Sequence, residues 1–166
     1  MYVQDLLHKR KVYMQNLKTT SEIFGANCLA YTSRRTARAV TNLFNARMAG
    51  LDLNVAQFGL LAAVAHMPGS SLSAIGEVML LGESTMARNL SVLERRGLVE
   101  ATGGRGRGGK SVNLTRQGKA LHAKGGKIWK ETNRELEVAL GVQAASAGRA
   151  FLDELGQISE RLKAKE

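Results

Sequence analysis

Cysteine, proline and aromatic residues are scarce in this chain, and each scarcity excludes something. There is one cysteine, Cys28. A single thiol allows no disulfide within the chain and no cysteine-built zinc site, and it suits a reducing cytoplasm. There is one proline, Pro68, so little interrupts helix formation elsewhere. Aromatic residues make up 5%, too few for a single-strand nucleic-acid binder built on stacking platforms. No apolar run approaches a membrane span. The opening MYVQDLLHKRKVYMQNLK interrupts its apolar residues with charges every few positions, so it lacks the apolar centre of a signal peptide. His8, His66 and His122 are scattered, without i, i+4 partners or acids at ligand spacing, which predicts no metal site. No Ser/His/Asp or paired-carboxylate arrangement stands out. These residues predict neither an enzyme nor a bound cofactor.

Positive charge is abundant. The 24 Lys and Arg outnumber the 14 Asp and Glu, for a net charge of +10. A basic surface gains affinity for polyanions by releasing their counterions. From Ala101 to Lys130 there are eight basic residues and no acid: Arg105, Arg107, Lys110, Arg116, Lys119, Lys124, Lys127 and Lys130. A merely solvated surface mixes its signs. With 166 residues and 44% hydrophobic content, the chain can build one ordinary core.

The periodicity is almost entirely helical. Ala37, Val40, Phe44, Met48 and Leu51 form one stripe in steps of three and four. Asn54, with Gln57 three residues on, predicts a capping box opening a helix that stops at Pro68-Gly69. Ser70 or Ser71 caps a short helix through Leu72, Ile75, Met79 and Leu80. Gly82 breaks the chain, and a helix follows from Glu83 to Arg96 with Gly97 as a left-handed C-terminal cap. Leu98-Val99-Glu100 and Ser111-Val112-Asn113-Leu114-Thr115 read as two strands around a Gly-rich loop. Helix returns from Arg116 to Leu140, Gly141 interrupts it, and a last helix carries Phe151, Leu155, Ile158 and Leu162. Those four form a seam of the kind that meets another element or another subunit.

The helix from Glu83 to Arg96 carries the functional pattern. Met86, Leu90 and Leu93 share one face, and Ser84, Arg88, Ser91 and Arg95 the opposite one. The polar face offers hydroxyls and guanidinium groups without acids. A short helix, a tight break and such a second helix is helix-turn-helix geometry, and the major groove admits an α-helix. An amphipathic surface helix is the plain alternative. The hairpin that follows weighs against it: Arg105, Arg107 and Lys110 sit on or beside a Gly-rich tip that lets the backbone approach phosphates or a minor groove. Gly104-x-Gly106-x-x-Gly109 matches a dinucleotide-binding string, but a strand rather than a helix follows it, so a phosphate would have no helix N-terminus to sit on. The Arg-Gly repeats suggest RNA-binding segments, yet here they occupy a loop tip.

The run from Leu80 to Val99, LLGESTMARNLSVLERRGLV, resembles the recognition-helix signature of the MarR (multiple antibiotic resistance regulator) family of bacterial winged helix-turn-helix transcription regulators. Ser111 to Gly118, SVNLTRQG, resembles the family's strand after the wing. Arg38-Ala39-Val40-Thr41 and Leu53-Asn54-Val55-Ala56-Gln57-Phe58 resemble its first and second helices. The likeness covers roughly Asn27 to Gly125. One departure lies in the wing, where the family's Asp position holds Arg105 and the next acidic position holds Gly108. Another is the long N-terminus.

The resemblance implies a mainly α fold with a small β-hairpin wing and flanking helices that form a dimerisation lobe. The expected divisions are a basic helical extension at 1–21, a dimerisation helix at 22–50, the DNA-binding lobe at 51–116 and dimerisation helices at 117–166. It implies a cytoplasmic homodimer on a pseudo-palindromic operator, repressing until a small ligand lowers its affinity. Ser84, Thr85, Arg88, Asn89, Ser91, Arg105, Arg107 and Lys110 are then the expected DNA contacts. Family relatives often take small aromatic acids between the dimer helices and the DNA-binding lobe, which makes Arg34, Arg38, Phe58 and His66 the candidate effector positions. For Arg34, Arg35 and Arg38, pairing with Asp153, Glu154 or Glu160 is the favoured reading, since most surface arginines are solvated or paired. The hydroperoxide-sensing branch keeps a reactive Cys near Cys28, but the matching position is Ala30, and the accompanying tyrosines fall at Arg34, Phe44 and Val55. A non-specific architectural DNA- or RNA-binding protein is the principal alternative, and an enzyme with its pocket in the helical lobe is a more distant one.

Overall fold

The computed structural model describes residues 28–103 and 110–165, with positions 8, 11, 12, 14–16, 18 and 22 before them. Those early positions are helical. The rest of the N-terminal extension and the wing tip, including Arg105 and Arg107, lie outside the described residues. The chain divides into two units, 1–43 and 44–166. The elements are α1 (Leu29–Met48), a 3-10 turn (Ala49–Leu51), α2 (Val55–His66), α3 (Leu72–Met79), α4 (Glu83–Arg95), β1 (Val99–Gly103), β2 (Lys110–Leu114), α5 (Arg116–Leu140) and α6 (Val142–Lys163). Among the described residues no single helix is long and apolar enough to cross a membrane.

The helix ends follow the side chains that satisfy them. Asn54 accepts from the Gln57 amide at 2.8 Å, and the Gln57 side chain accepts from the Asn54 amide at 3.1 Å. This capping box contributes about 1 kcal/mol. Ser71 caps α3 through the Ala74 amide, and Thr115 caps α5 through the Gly118 amide. Gly97 closes α4 at φ +64°.

The main core lies in the second unit. Leu60, Leu61 and Val64 of α2, Ile75 of α3, Met86, Leu90 and Leu93 of α4, and Val99, Val112 and Leu114 of the hairpin pack together. Each such side chain stabilises the fold by about 2 kcal/mol. Phe44, Met48 and Phe58 form a second cluster with Ile128 and Leu136 of α5 against it. The predicted stripe of the first helix is thus buried at Phe44 and Met48, whereas Val40 is 40% exposed.

β1 and β2 pair antiparallel from Val99↔Leu114 to Gly103↔Lys110. The first strand runs further than Leu98–Glu100, because β2 supplies partners up to Lys110. Leu98 falls outside it: its carbonyl accepts instead from the Thr115 amide at 3.1 Å. The hairpin is also tied to the turn after α2. Ser71 bridges Ser111, the Val112 amide donates to the Ser70 carbonyl, and the Ser111 hydroxyl donates to the Gly69 carbonyl at 2.8 Å. The wing base and the helix-turn-helix therefore form one hydrogen-bonded body.

Candidate nucleic-acid interface

α4 presents two unlike faces. Met86, Leu90 and Leu93 are 1%, 5% and 0% exposed. Ser84, Thr85, Arg88, Ser91 and Arg95 are exposed, and Asn89 is half-buried on the flank. The helix opens at Gly82 without a side-chain cap, which leaves first-turn amides to solvent or to an incoming acceptor. Glu83 in that turn favours the helix dipole.

The helix is anchored at both ends. At its start Gly82 accepts from the Thr85 and Met86 amides, and α3 ends tightly as Leu80 turns left-handed at φ +51°. At its far end Arg96 donates to the Asp52 and Leu51 carbonyls and lies 3.6 Å from the Asp52 carboxylate. Asp52 is itself left-handed. Nothing in the sequence marks this positioning arginine, since its acceptors are backbone carbonyls more than forty residues away and no periodicity points to them. Arg88 and Arg95, on the same helix, are exposed instead.

The hairpin base carries Glu100 and Thr102 outward and buries Val99 and Val112. Lys110 opens β2. The geometry thus brings Ser84, Thr85, Arg88 and Ser91 onto one exposed helix face, held on the same core as the wing base.

The four candidate effector positions lie in different surroundings. Arg34 and Arg38 are exposed on α1. Phe58 is 5% exposed and stacks on His122, with centroids 5.8 Å apart and 17° between the planes. His66 donates from Nδ1 to the Ala62 carbonyl at 2.8 Å. It also meets His122 edge to face at 6.3 Å. The sequence shows His66 and His122 as scattered, but the packing of α2 on α5 brings them together. Among the described residues they recruit no third metal-ligand side chain. Cys28 is half-buried. An open cleft of about 350 Å³ beside His122 is lined also by Val64, Pro68, Glu100 and Lys119.

The His122 pKa is lowered, first by burial and then by the neighbouring His66 charge. A folded chain that resists a proton which the unfolded chain accepts loses stability as the pH falls. Stability is therefore expected to hold above the ordinary histidine value of about 6.5 and to decline as the pH drops below it. Glu100 and Lys119 share the cleft. Replacing His122 with Phe keeps a ring against Phe58 and should flatten the slope of denaturant stability between pH 7 and 5. An unchanged slope in His122→Phe would assign the effect to other groups.

Residues 51–108 match the MarR family profile. No curated protein matches the chain at a significant level. Among solved structures, the chain is similar to the transcriptional regulator MosR of M. tuberculosis in complex with DNA. The two are 28% identical with a TM-score of 0.74, over 82% of this chain and 98% of that one. It is also similar to the PcaV transcriptional regulator of Streptomyces coelicolor with its natural ligand, at 28% identity and a TM-score of 0.68, over 81% of this chain and 94% of that one. The transcriptional repressor CouR bound to p-coumaroyl-CoA matches at 25% identity and a TM-score of 0.72, over 79% of this chain and 93% of that one. The winged helix-turn-helix architecture is common to all of them.

Proposed function

We propose, from the match of residues 51–108 to the MarR family profile, that this chain is a sequence-specific, duplex-DNA-binding transcription repressor that acts as a homodimer and responds to a small ligand. The observation that carries the reading is α4: an exposed face of hydroxyls and guanidinium groups, backed by a buried apolar face and clamped at its end by Arg96. A rigid helix of this kind fits the major groove and holds side chains against base edges. Ser84, Thr85, Arg88, Asn89 and Ser91 would read bases. Lys110 and the wing arginines Arg105 and Arg107 would supply phosphate or minor-groove contacts. MosR bound to DNA supports the partner, and CouR bound to p-coumaroyl-CoA supports a ligand-responsive repressor. The regulator assignment leaves no catalytic role for these residues.

Selection of bound duplexes from a random pool tests the reading. A pseudo-palindrome is expected, with half-site centres about 34 Å apart. Recovery of unselected sequence would favour the architectural alternative, which lacks a specificity ratio of roughly a thousandfold.

The homodimer rests on apolar surface. Val138, Leu140, Val142, Phe151, Leu152 and Leu162 are each more than half exposed in the single chain. Exposed apolar residues gathered on one helical pair mark an association surface. Replacing Phe151 and Leu152 together by Asp is expected to shift the chain from dimer to monomer in sedimentation equilibrium. A dimer that persists in that double variant places the interface elsewhere.

A further inference from the structure

We propose that the outer face of α5 is a second, sequence-independent contact for duplex DNA, separate from the recognition helix and the wing. The inference rests on the DNA-binding reading above and adds a surface to it.

The basic run noted in the sequence does not all belong to the wing. Five of its cations fall on α5 and Arg134 continues them, giving Arg116, Lys119, Lys124, Lys127, Lys130 and Arg134, all exposed. At 3.6 residues per turn they lie within an arc of about 140° and span about 27 Å of helix. The opposite face holds the buried Gly118, Gly125 and Thr132, so the arc points outward.

Acids are few along this arc. Between Arg116 and Arg134 the only acid is Glu131. The next two acids on the helix are engaged elsewhere, Glu135 by Arg47 at 2.6 Å and Glu137 by Arg149 at 3.2 Å. None of the six joins an ion pair among the described residues. The first turn of α5 has no acid, yet it carries Arg116 and Lys119. Cations at a helix N-terminus oppose the helix dipole, so local helix stability does not account for them.

The stripe suits a duplex better than a lipid surface. Duplex DNA carries about one charge per 1.7 Å of axis, so the roughly 27 Å of duplex alongside the stripe holds on the order of 16 phosphates. A membrane-seeking helix needs large apolar side chains bordering its cations, whereas the residues interspersed in this arc are Ala120, Ala123 and Glu131. Four of the six cations are lysines, which act on phosphates as point charges and read no base.

The test measures binding of the full chain to a random-sequence duplex across a salt series, for the unaltered protein, for Lys127→Gln/Lys130→Gln/Arg134→Gln and for Lys124→Gln/Lys130→Gln. The triple variant is expected to flatten the log–log salt slope by about 2.7 and the double variant by about 1.8. Both should still select the same sequence from a random pool. An unchanged slope overturns the proposal. So does a change in oligomeric state in either variant, which would make the face a protein interface. Loss of binding to phosphatidylserine vesicles with the DNA slope unmoved also overturns it, in favour of a membrane. A selected operator with an unchanged slope removes this surface alone. A flattened slope with no selected sequence removes the repressor reading and keeps the surface.

Discussion

Gly118→Ala should be the most damaging glycine-to-alanine change among the described residues. A Cβ at position 118 would lie 1.9 Å from the Leu98 carbonyl oxygen and 2.9 Å from its carbon. These are backbone atoms and cannot rotate away. That same carbonyl accepts from the Thr115 amide, while the Thr115 hydroxyl donates to the Gly97 carbonyl at 2.7 Å and accepts from the Gly118 amide at 3.0 Å. The end of α4, the wing base and the start of α5 therefore meet at Gly118. Relieving the overlap means breaking that set of bonds or shifting α5. The expected cost is about 3 kcal/mol or more, a fall in melting temperature of roughly 6–12 °C for a domain of this size. Thermal unfolding followed by circular dichroism measures it. A loss below about 1 kcal/mol would mean that α5 stands off the wing base further than the structure places it. Gly125 makes the gentler comparison: its Cβ would meet the Phe58 ring at 2.6 Å, and a ring can give way where a backbone cannot.

Arg88→Ala should produce the largest functional loss. Arg88 stands exposed at mid-helix with Ser84 and Thr85 one turn earlier. Its backbone is fixed by Met86 and Leu90 on the buried side. A guanidinium on so rigid a base can hold both acceptors of a guanine edge at once. Its removal is expected to cost about 1–3 kcal/mol on the selected duplex, roughly five- to 150-fold in affinity, and to relax the preference at one base position. Arg105→Ala and Arg107→Ala should instead weaken all duplexes alike, each flattening the salt slope by about one unit. Fluorescence anisotropy on the selected site and on single-base variants separates the two patterns. If Arg88→Ala leaves the base preference intact while the wing changes alter it, the wing is the reader and α4 is only its support.

The sequence by itself determined several helix ends from Asn54 onward, and which side of α4 is polar. Asn54 with Gln57, Ser71 and Gly97 act through bonds to neighbours three residues away, and Pro68 lacks the amide a helix would need, so their meaning is complete in a short window. The Ser84–Arg88–Ser91 face follows from 3.6 residues per turn alone. Tertiary structure decided what those elements meet. Arg96 became a clamp because α4 ends beside the carbonyls of Leu51 and Asp52. His66 and His122 became neighbours because α2 packs on α5, and Gly118 became irreplaceable because α5 starts against Leu98. The α5 cations join no ion pair among the described residues, while Glu135 and Glu137 of the same helix face Arg47 and Arg149. Each of these depends on the crossing angle and offset of packed helices. Those are set jointly by many buried side chains, and no local window of sequence contains them.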